Sequence, residues 1–472
     1  MTLATLQRGA MPAALVWSLG LVASSRTGAQ LSLRDAFREA DRASFANRIA
    51  AGQSATQDAQ ALSALQGVLP TVRFDAGYLR TTDPIGVFGS TLRQRSITAA
   101  NFDPQRLNYP PAVGNYQAGI VVEQPLINPD AWPGRKAAQL AARATHETEA
   151  WSRLSVRVDV VRAYYGATLA AERVSTLQSA ARAAHAHVAQ ADAMLEQGLV
   201  TKSDALLAAV RAGDMDAQLV EAQGAAVTAR RQLAVILGRS DEELRTDLAL
   251  PTQVPSTARI HAAVAADTAA LSPQIRADVR AASDGLSAAR REAAGARSAL
   301  LPRVNGFARY DWNSASRFYG GDRVWTAGVM ASWSPFSGAR EIANIEVSAG
   351  LAATAQAQAD AALANARLDV EQTRTSLGVA LAKLDIAERA VLQSTEAHRI
   401  VSRKYEGGLA TIVELLDAQA VETQSAVALS QARWSAIVAA AERRRALGRD
   451  PATLASLEDA TPGAVHDGRP DR

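Results

Sequence analysis

The sequence predicts a mainly α-helical chain with a smaller β portion, built as a duplicated half and closed into a finished shape only by oligomerisation. Three observations carry that reading. The chain contains itself twice in register, its long proline-free stretches have the composition of extended helices, and four short segments alternate apolar and polar residues with the period of strands.

The duplication is fixed by its breakers. Pro125, Gly198 and Gly238 recur as Pro335, Gly408 and Gly448 with their spacings unchanged. Residue types around them agree: Gln124-Pro125-Leu126 answers Ser334-Pro335-Phe336, Gly198-Leu199-Val200-Thr201 answers Gly408-Leu409-Ala410-Thr411, and Arg157-Val-Asp-Val160 answers Arg367-Leu-Asp-Val370. Leu69-Pro70 likewise matches Leu301-Pro302, but the first half inserts a longer stretch before its next anchor, which reads as one extra loop. A period this long is not a solenoid repeat; it is a half-domain that packs against its own copy.

Composition sets the class and excludes several functions. Among 472 residues aromatics are only 5%, and alanine with interleaved charge suits long helices in thin contact layers rather than one thick core. The net charge of +3 is small for the length, and lysine occurs only at 136, 202, 383 and 404. No basic block stands out, so nucleic acid is not an expected partner. Cysteine is absent, which removes disulfides, thiolate metal sites and thiol nucleophiles together.

In chain order, residues 1–29 read as a secretory signal peptide: Arg8 supplies the positive region, Ala10 to Ala23 the short apolar core, and Thr27-Gly28-Ala29 the small residues for cleavage. No cysteine follows to accept a lipid anchor. Residues 30–240 form the first repeat, 241–270 a linker or equatorial segment, and 271–448 the second repeat. Residues 449–472, with Pro451, Pro462, Gly463, Gly468 and Pro470, read as a disordered tail.

No segment reaches the about 18 uninterrupted apolar residues of a spanning helix. The strands, at about 71–81, 115–124, 303–313 and 323–334, fit a membrane in another way. Val72, Phe74, Ala76 and Tyr78 alternate with polar or small residues, as do Tyr116, Ala118, Ile120 and Val122. Val304, Ala308, Tyr310 and Trp312 do the same, interrupted by Phe307, and so do Trp325, Ala327, Val329, Ala331 and Trp333. Each segment is about ten residues long with aromatics toward its ends, the length and girdle of an outer-membrane strand. Four strands cannot close a barrel, and an open edge is not tolerated in lipid. The chain must therefore oligomerise.

The proline-free stretches from Gly134 to Met194 and from Ser337 to Lys404 read as helical rods of roughly 100 Å. Shorter helices at about 45–68 with 201–237, and at about 273–299 with 411–447, are expected to stack end to end beside them. Small residues at helical spacing, such as Ala137, Ala138, Ala141 and Ala142, allow close contact on two faces, so each helix is a stave in a curved wall. The long helices end near Gly198 and Gly408, which suit a left-handed cap, and Thr201 and Thr411 can N-cap the returning helices. Glu414 and Asp417, three apart, share a helix face, and Asp204 is the repeat equivalent of Glu414.

Catalytic signals are missing: GxxxxGK[ST], GxSxG and HExxH do not occur. His185 and His187 lie two apart on a helix, about 200° round it, and cannot share a metal. No enzyme activity, cofactor or metal is expected.

Taken with their spacing, these features resemble the TolC-like outer-membrane efflux and secretion channels over nearly all of residues 31–448. The resemblance implies a homotrimer whose chains share one β-barrel in the outer membrane and one helical tunnel through the periplasm. It would be the exit duct for an inner-membrane pump and a periplasmic adaptor, in tripartite efflux or type I secretion. By the same resemblance Gly198, Leu199, Thr201, Gly408, Leu409 and Thr411 form adaptor-docking tips. Glu414, Asp417, Asp204 and Tyr405 then belong to acidic rings and a closing link at the periplasmic entrance. Ala410 stands where that link would carry an arginine, so the closure is weaker here or built differently. A soluble periplasmic coiled-coil adaptor or scaffold is the alternative that composition and export leave open.

Overall fold

A computed structural model describes residues 30–240, 242, 248–265 and 276–459; the signal peptide of the sequence reading lies outside them. Two very long helices dominate, α5 (Ala131–Glu196, 66 residues) and α9 (Arg340–Glu406, 67 residues). Each is flanked by a column of two shorter helices. In the first half the column is α6 (Lys202–Ile236) followed in space by α2 (Phe45–Ser63), and in the second α10 (Ile412–Ala446) followed by α8 (Ala277–Ser298). Packing orders the wall as α6/α2, then α5, then α10/α8, then α9.

Glycine makes the end-to-end stacking possible. α6 ends at Gly238, whose φ of +80° turns the chain away, and a Cβ there would stand 2.1 Å from the carbonyl oxygen of Ala43, just before α2. The second junction repeats the device more loosely: Gly448 has φ +69°, and the nearest atom to an added Cβ is on Arg276 at 3.5 Å. Arg276 closes that junction. Only 4% exposed, it donates to Asp278, to Asp369 and to the carbonyl oxygens of Ala366 and Ala446, and it stacks over Trp151 at 4.5 Å. Burial alone would lower its pKa, but the hydrogen bonds and charge of Asp278 and Asp369 outweigh that and raise it.

The strands form one antiparallel sheet in the order β1 (Thr71–Thr81), β2 (Val113–Ile127), β3 (Arg303–Ser314), β4 (Asp322–Ser332). Its register separates two chemistries. Phe74 faces Ile120 and Tyr310 faces Trp325, which puts Val72, Phe74, Tyr78, Trp325 and Val329 on one exposed apolar face. Arg73 with Asp75, Arg309 with Asp311, and Asn115 bonded to Asn313 lie on the other. Phe307, the exception in the alternation, falls on the polar face and lies over Gly328, whose missing side chain makes room for the ring. Rings at one end of the apolar face pair up, Tyr78 with Tyr116 and Tyr310 with Trp312. One face suits lipid and the other water.

Three sequence expectations need amending. The extra loop of the first half is folded, with α3 (Pro84–Arg93), a 3-10 turn at Ala99–Phe102 and α4 (Pro104–Asn108). Asp83 and Asp103 cap these helices with prolines in their first turns, and the Gln94 amide ties the loop to Gly114 and Asn115 of β2. The equatorial segment contains a helix, α7 (Thr257–Ala265). Finally, part of the supposed disordered tail is ordered: Pro451–Ala455 forms a 3-10 turn and Ser456–Asp459 a last short helix, α11, with Leu454, Ala455 and Leu457 buried. Those apolar side chains join the main core and outweigh the prolines that suggested disorder. Residues 460–472 lie outside the described residues.

That core sits at mid-length, where α1 (Leu33–Ala43), α7 and α11 lie against α5 and α10. Tyr164 and Tyr165 are fully enclosed in it, and burial pushes both phenols well above their ordinary pKa. Arg157, between Asp41 and Asp450, has its pKa raised, first by the hydrogen bond with Asp41. Arg239 forks onto Glu39 at 2.6 and 3.0 Å.

Candidate functional site

The two helix turns lie at the same end of the wall, because α5 and α9 both run from the sheet to a tip. They are copies in detail. The amide of Gly198 bonds back to Leu195 and that of Leu199 to Met194; Gly408 and Leu409 bond to Tyr405 and Lys404 in the same way. This is a helix ending that needs a left-handed residue, and φ is +74° at Gly198 and +71° at Gly408. Neither position has an atom within 4 Å of an added Cβ, so glycine is required by backbone conformation and not by crowding. Leu199 and Leu409 are 65% and 82% exposed. Each turn thus presents one large apolar side chain to solvent.

Both returning helices begin with a capping box. The Thr201 hydroxyl accepts from the Asp204 amide while the Asp204 carboxylate accepts from the Thr201 amide at 3.0 Å; Thr411 and Glu414 do the same, at 2.7 Å. These bonds hold both carboxyls below their usual pKa: for Asp204 the Thr201 hydroxyl is the larger cause, for Glu414 the Thr411 amide. The contribution of each cap is therefore present above the ordinary carboxylate range and is lost as pH falls through the lowered value.

The other two sequence-selected residues behave differently. Asp417 is exposed and has Arg211 of α6 at 4.0 Å, a cation from a neighbouring stave. Tyr405 is 4% exposed and packs with Ile412, Leu415 and Leu416, its hydroxyl 3.5 Å from the Met194 sulfur. Burial, then the nearby charge of Asp204, raises its pKa. The structure therefore puts Tyr405 inside the helix packing, while the Asp204 carboxylate is engaged by Thr201. Sequence reasoning missed Arg211 and the cluster beneath Tyr405. Ile412, Leu415 and Leu416 repeat at i, i+3 and i+4, which was the available signal. His185 bonds to Asp216 of α6, while His187 is half-buried beside His398, whose Nδ1 contacts Glu422.

A long helical wall, a four-stranded sheet with one lipid-compatible face, and paired turns at the far end define a membrane-inserted tube subunit. Residues 39–239 and 271–449 match the family described as outer membrane efflux protein. The chain belongs to that family, one of channels rather than enzymes, and it is an outer-membrane efflux duct that extends into the periplasm. Solved structures agree with the fold. A membrane protein from Pseudomonas aeruginosa aligns with a TM-score of 0.74 at 21% identity, covering 88% of this chain and 93% of that one. The outer membrane protein VceC of Vibrio cholerae gives 0.70 at 18% identity, covering 89% and 96%. The CmeC outer membrane channel of Campylobacter jejuni gives 0.74 at 16% identity, covering 95% and 94%. No curated protein matches the chain.

Proposed function

We propose that the chain works as a homotrimer whose tips at Gly198 and Gly408 receive a periplasmic adaptor, so that substrates pass from an inner-membrane pump to the exterior. The observation that carries this reading is that the subunit is unfinished on both sides. β1 and β4 are open sheet edges, which lipid does not tolerate. On α6, Leu206, Val210, Val220 and Val227 are exposed, and on α9 so are Leu368, Val379, Ile386 and Ile400. Fully burying each such side chain contributes about 1.5–3 kcal/mol, so α9 of one copy against α6 of the next satisfies both stripes while the sheet edges pair. A soluble adaptor has no use for the lipid-compatible face. Chemical crosslinking of the detergent-extracted protein is expected to stop at three subunits, and a stable monomer in bilayers would overturn the reading.

At the entrance, a trimer triples the carboxylates of Glu414 and Asp417. A ring of like charge in a narrow, low-dielectric mouth attracts cations, though Arg211 offsets part of the charge at Asp417. Glu414→Gln with Asp417→Asn keeps size, and the glutamine amide oxygen still accepts the Thr411 N–H. In planar bilayers the altered channel is expected to lose cation preference, most clearly at low salt where screening is weakest. Unchanged low-salt selectivity would place both carboxylates outside the conducting path.

A further inference from the structure

The lipid-compatible face of the sheet carries charge at one end alone. Side chains alternate between the two faces of a strand, so Arg80 of β1 follows Val72, Phe74 and Tyr78 onto the apolar face. Arg323 of β4, opposite Trp312, precedes Trp325 and Val329 on the same face. Among the described strand residues these two arginines are the only charged ones there. Both are exposed, and neither has a partner among the described residues.

The rings beside them set their depth. Tyr78 pairs with Tyr116 and Tyr310 with Trp312 at this end, and the β3–β4 hairpin folds back onto them, Phe318 against Tyr116 and Tyr319 against Trp312. Such rings mark the level of lipid headgroups. Arg80 lies two residues beyond Tyr78, and Arg323 two beyond Trp325, about 7 Å further along each strand. That is the height of headgroup phosphates. The long helices leave the strands at the opposite end and extend into the periplasm, so the leaflet is the outer one.

Charge names the occupant. Residues 80–113 and 314–323 carry six arginines against three aspartates. Asp83 and Asp103 are engaged by the helix caps of α3 and α4, and Asp322, on the polar face, lies 3.6 Å from Arg95. The two guanidiniums on the lipid face are left to an anion from outside the chain. We propose that Arg80 and Arg323 bind phosphate groups of the outer-leaflet glycolipid. β1 and β4 are the two edges of the sheet, so ring closure sets Arg80 from one copy and Arg323 from the next on adjoining strands. Edge pairing uses backbone groups in the plane of the sheet and leaves both side chains facing lipid. A guanidinium takes phosphate in a two-pronged contact, and two at one seam suit a lipid with more than one phosphate. The seam rests on the homotrimer reading; the depth and the sign of charge do not.

The test titrates the full detergent-extracted protein with doubly phosphorylated lipid A, and native mass spectrometry counts the bound lipid. Arg80→Ala and Arg323→Ala should each weaken binding about fivefold, the loss of one basic residue at an anionic lipid. Arg80→Lys should keep part of the affinity, and Arg73→Ala, on the polar face, should change nothing. Lipid A stripped of its phosphates should bind weakly and equally to all variants. Unchanged lipid A affinity in the double alanine variant overturns the site. Equal affinity for phosphatidylglycerol overturns the glycolipid assignment, and displacement by inorganic phosphate at the same concentration overturns the lipid source. Crosslinking of the same preparation separates this inference from the homotrimer reading. Trimers that retain lipid A without regard to its phosphates overturn the inference alone, whereas a monomer with phosphate-dependent retention upholds the arginine contacts and overturns the seam.

Discussion

Gly238→Ala is expected to disrupt assembly far more than Gly448→Ala, although the two glycines are copies of one position. Both hold a left-handed φ, where a Cβ costs roughly 1–2 kcal/mol. At Gly448 that is the main cost, since the nearest atom to the new carbon is 3.5 Å away. At Gly238 the new carbon would lie 2.1 Å from the Ala43 carbonyl oxygen and 2.4 Å from its carbon. These are backbone atoms that cannot swing aside as a side-chain end can, so a steric cost of about 1–3 kcal/mol is added. The two helices of that column must then separate or the turn must refold, and Arg239, the next residue, would be pulled from Glu39. Heating the assembled protein and following loss of the oligomer on gels measures the difference. Equal losses in the two variants would mean that the α6/α2 junction is not in the tight contact described.

Replacing both Gly198 and Gly408 with valine is expected to abolish export while leaving normal amounts of assembled protein in the outer membrane. The strain is local: valine at a left-handed φ is disfavoured by its branched Cβ, and no neighbour within 4 Å is displaced. The turns must therefore re-form with Leu199 and Leu409 pointing elsewhere, while the sheet at the opposite end of α5 and α9 is untouched. Export of a known substrate, adaptor crosslinking and oligomer abundance should be measured together. Retained export with distorted tips would reduce those turns to simple connections.

Much of this was legible because prolines and glycines act locally. Leu69-Pro70, Gly198 and Gly408 mark where elements stop whatever surrounds them, and the period-two pattern of residues 72–78 is set by which face meets lipid. What escaped was set by distant partners. α3 and α4 are too short for a periodic signal and depend on caps at Asp83 and Asp103. Leu454 and Leu457 are two leucines in a proline-flanked stretch, and only the pocket opposite them makes them core. Tyr405 was legible as a residue near the end of a long helix, but its burial against Met194 depends on the spacing of two chain segments.

The unequal construction of the staves has a mechanical consequence. α5 and α9 are uninterrupted, each about 100 Å of continuous backbone hydrogen bonding, whereas their flanking columns are each two separate pieces meeting at a glycine. An unbroken rod resists bending along its whole length; a butted column yields at its joint. A sideways displacement at the tips is then taken up as slip at Gly238 and Gly448.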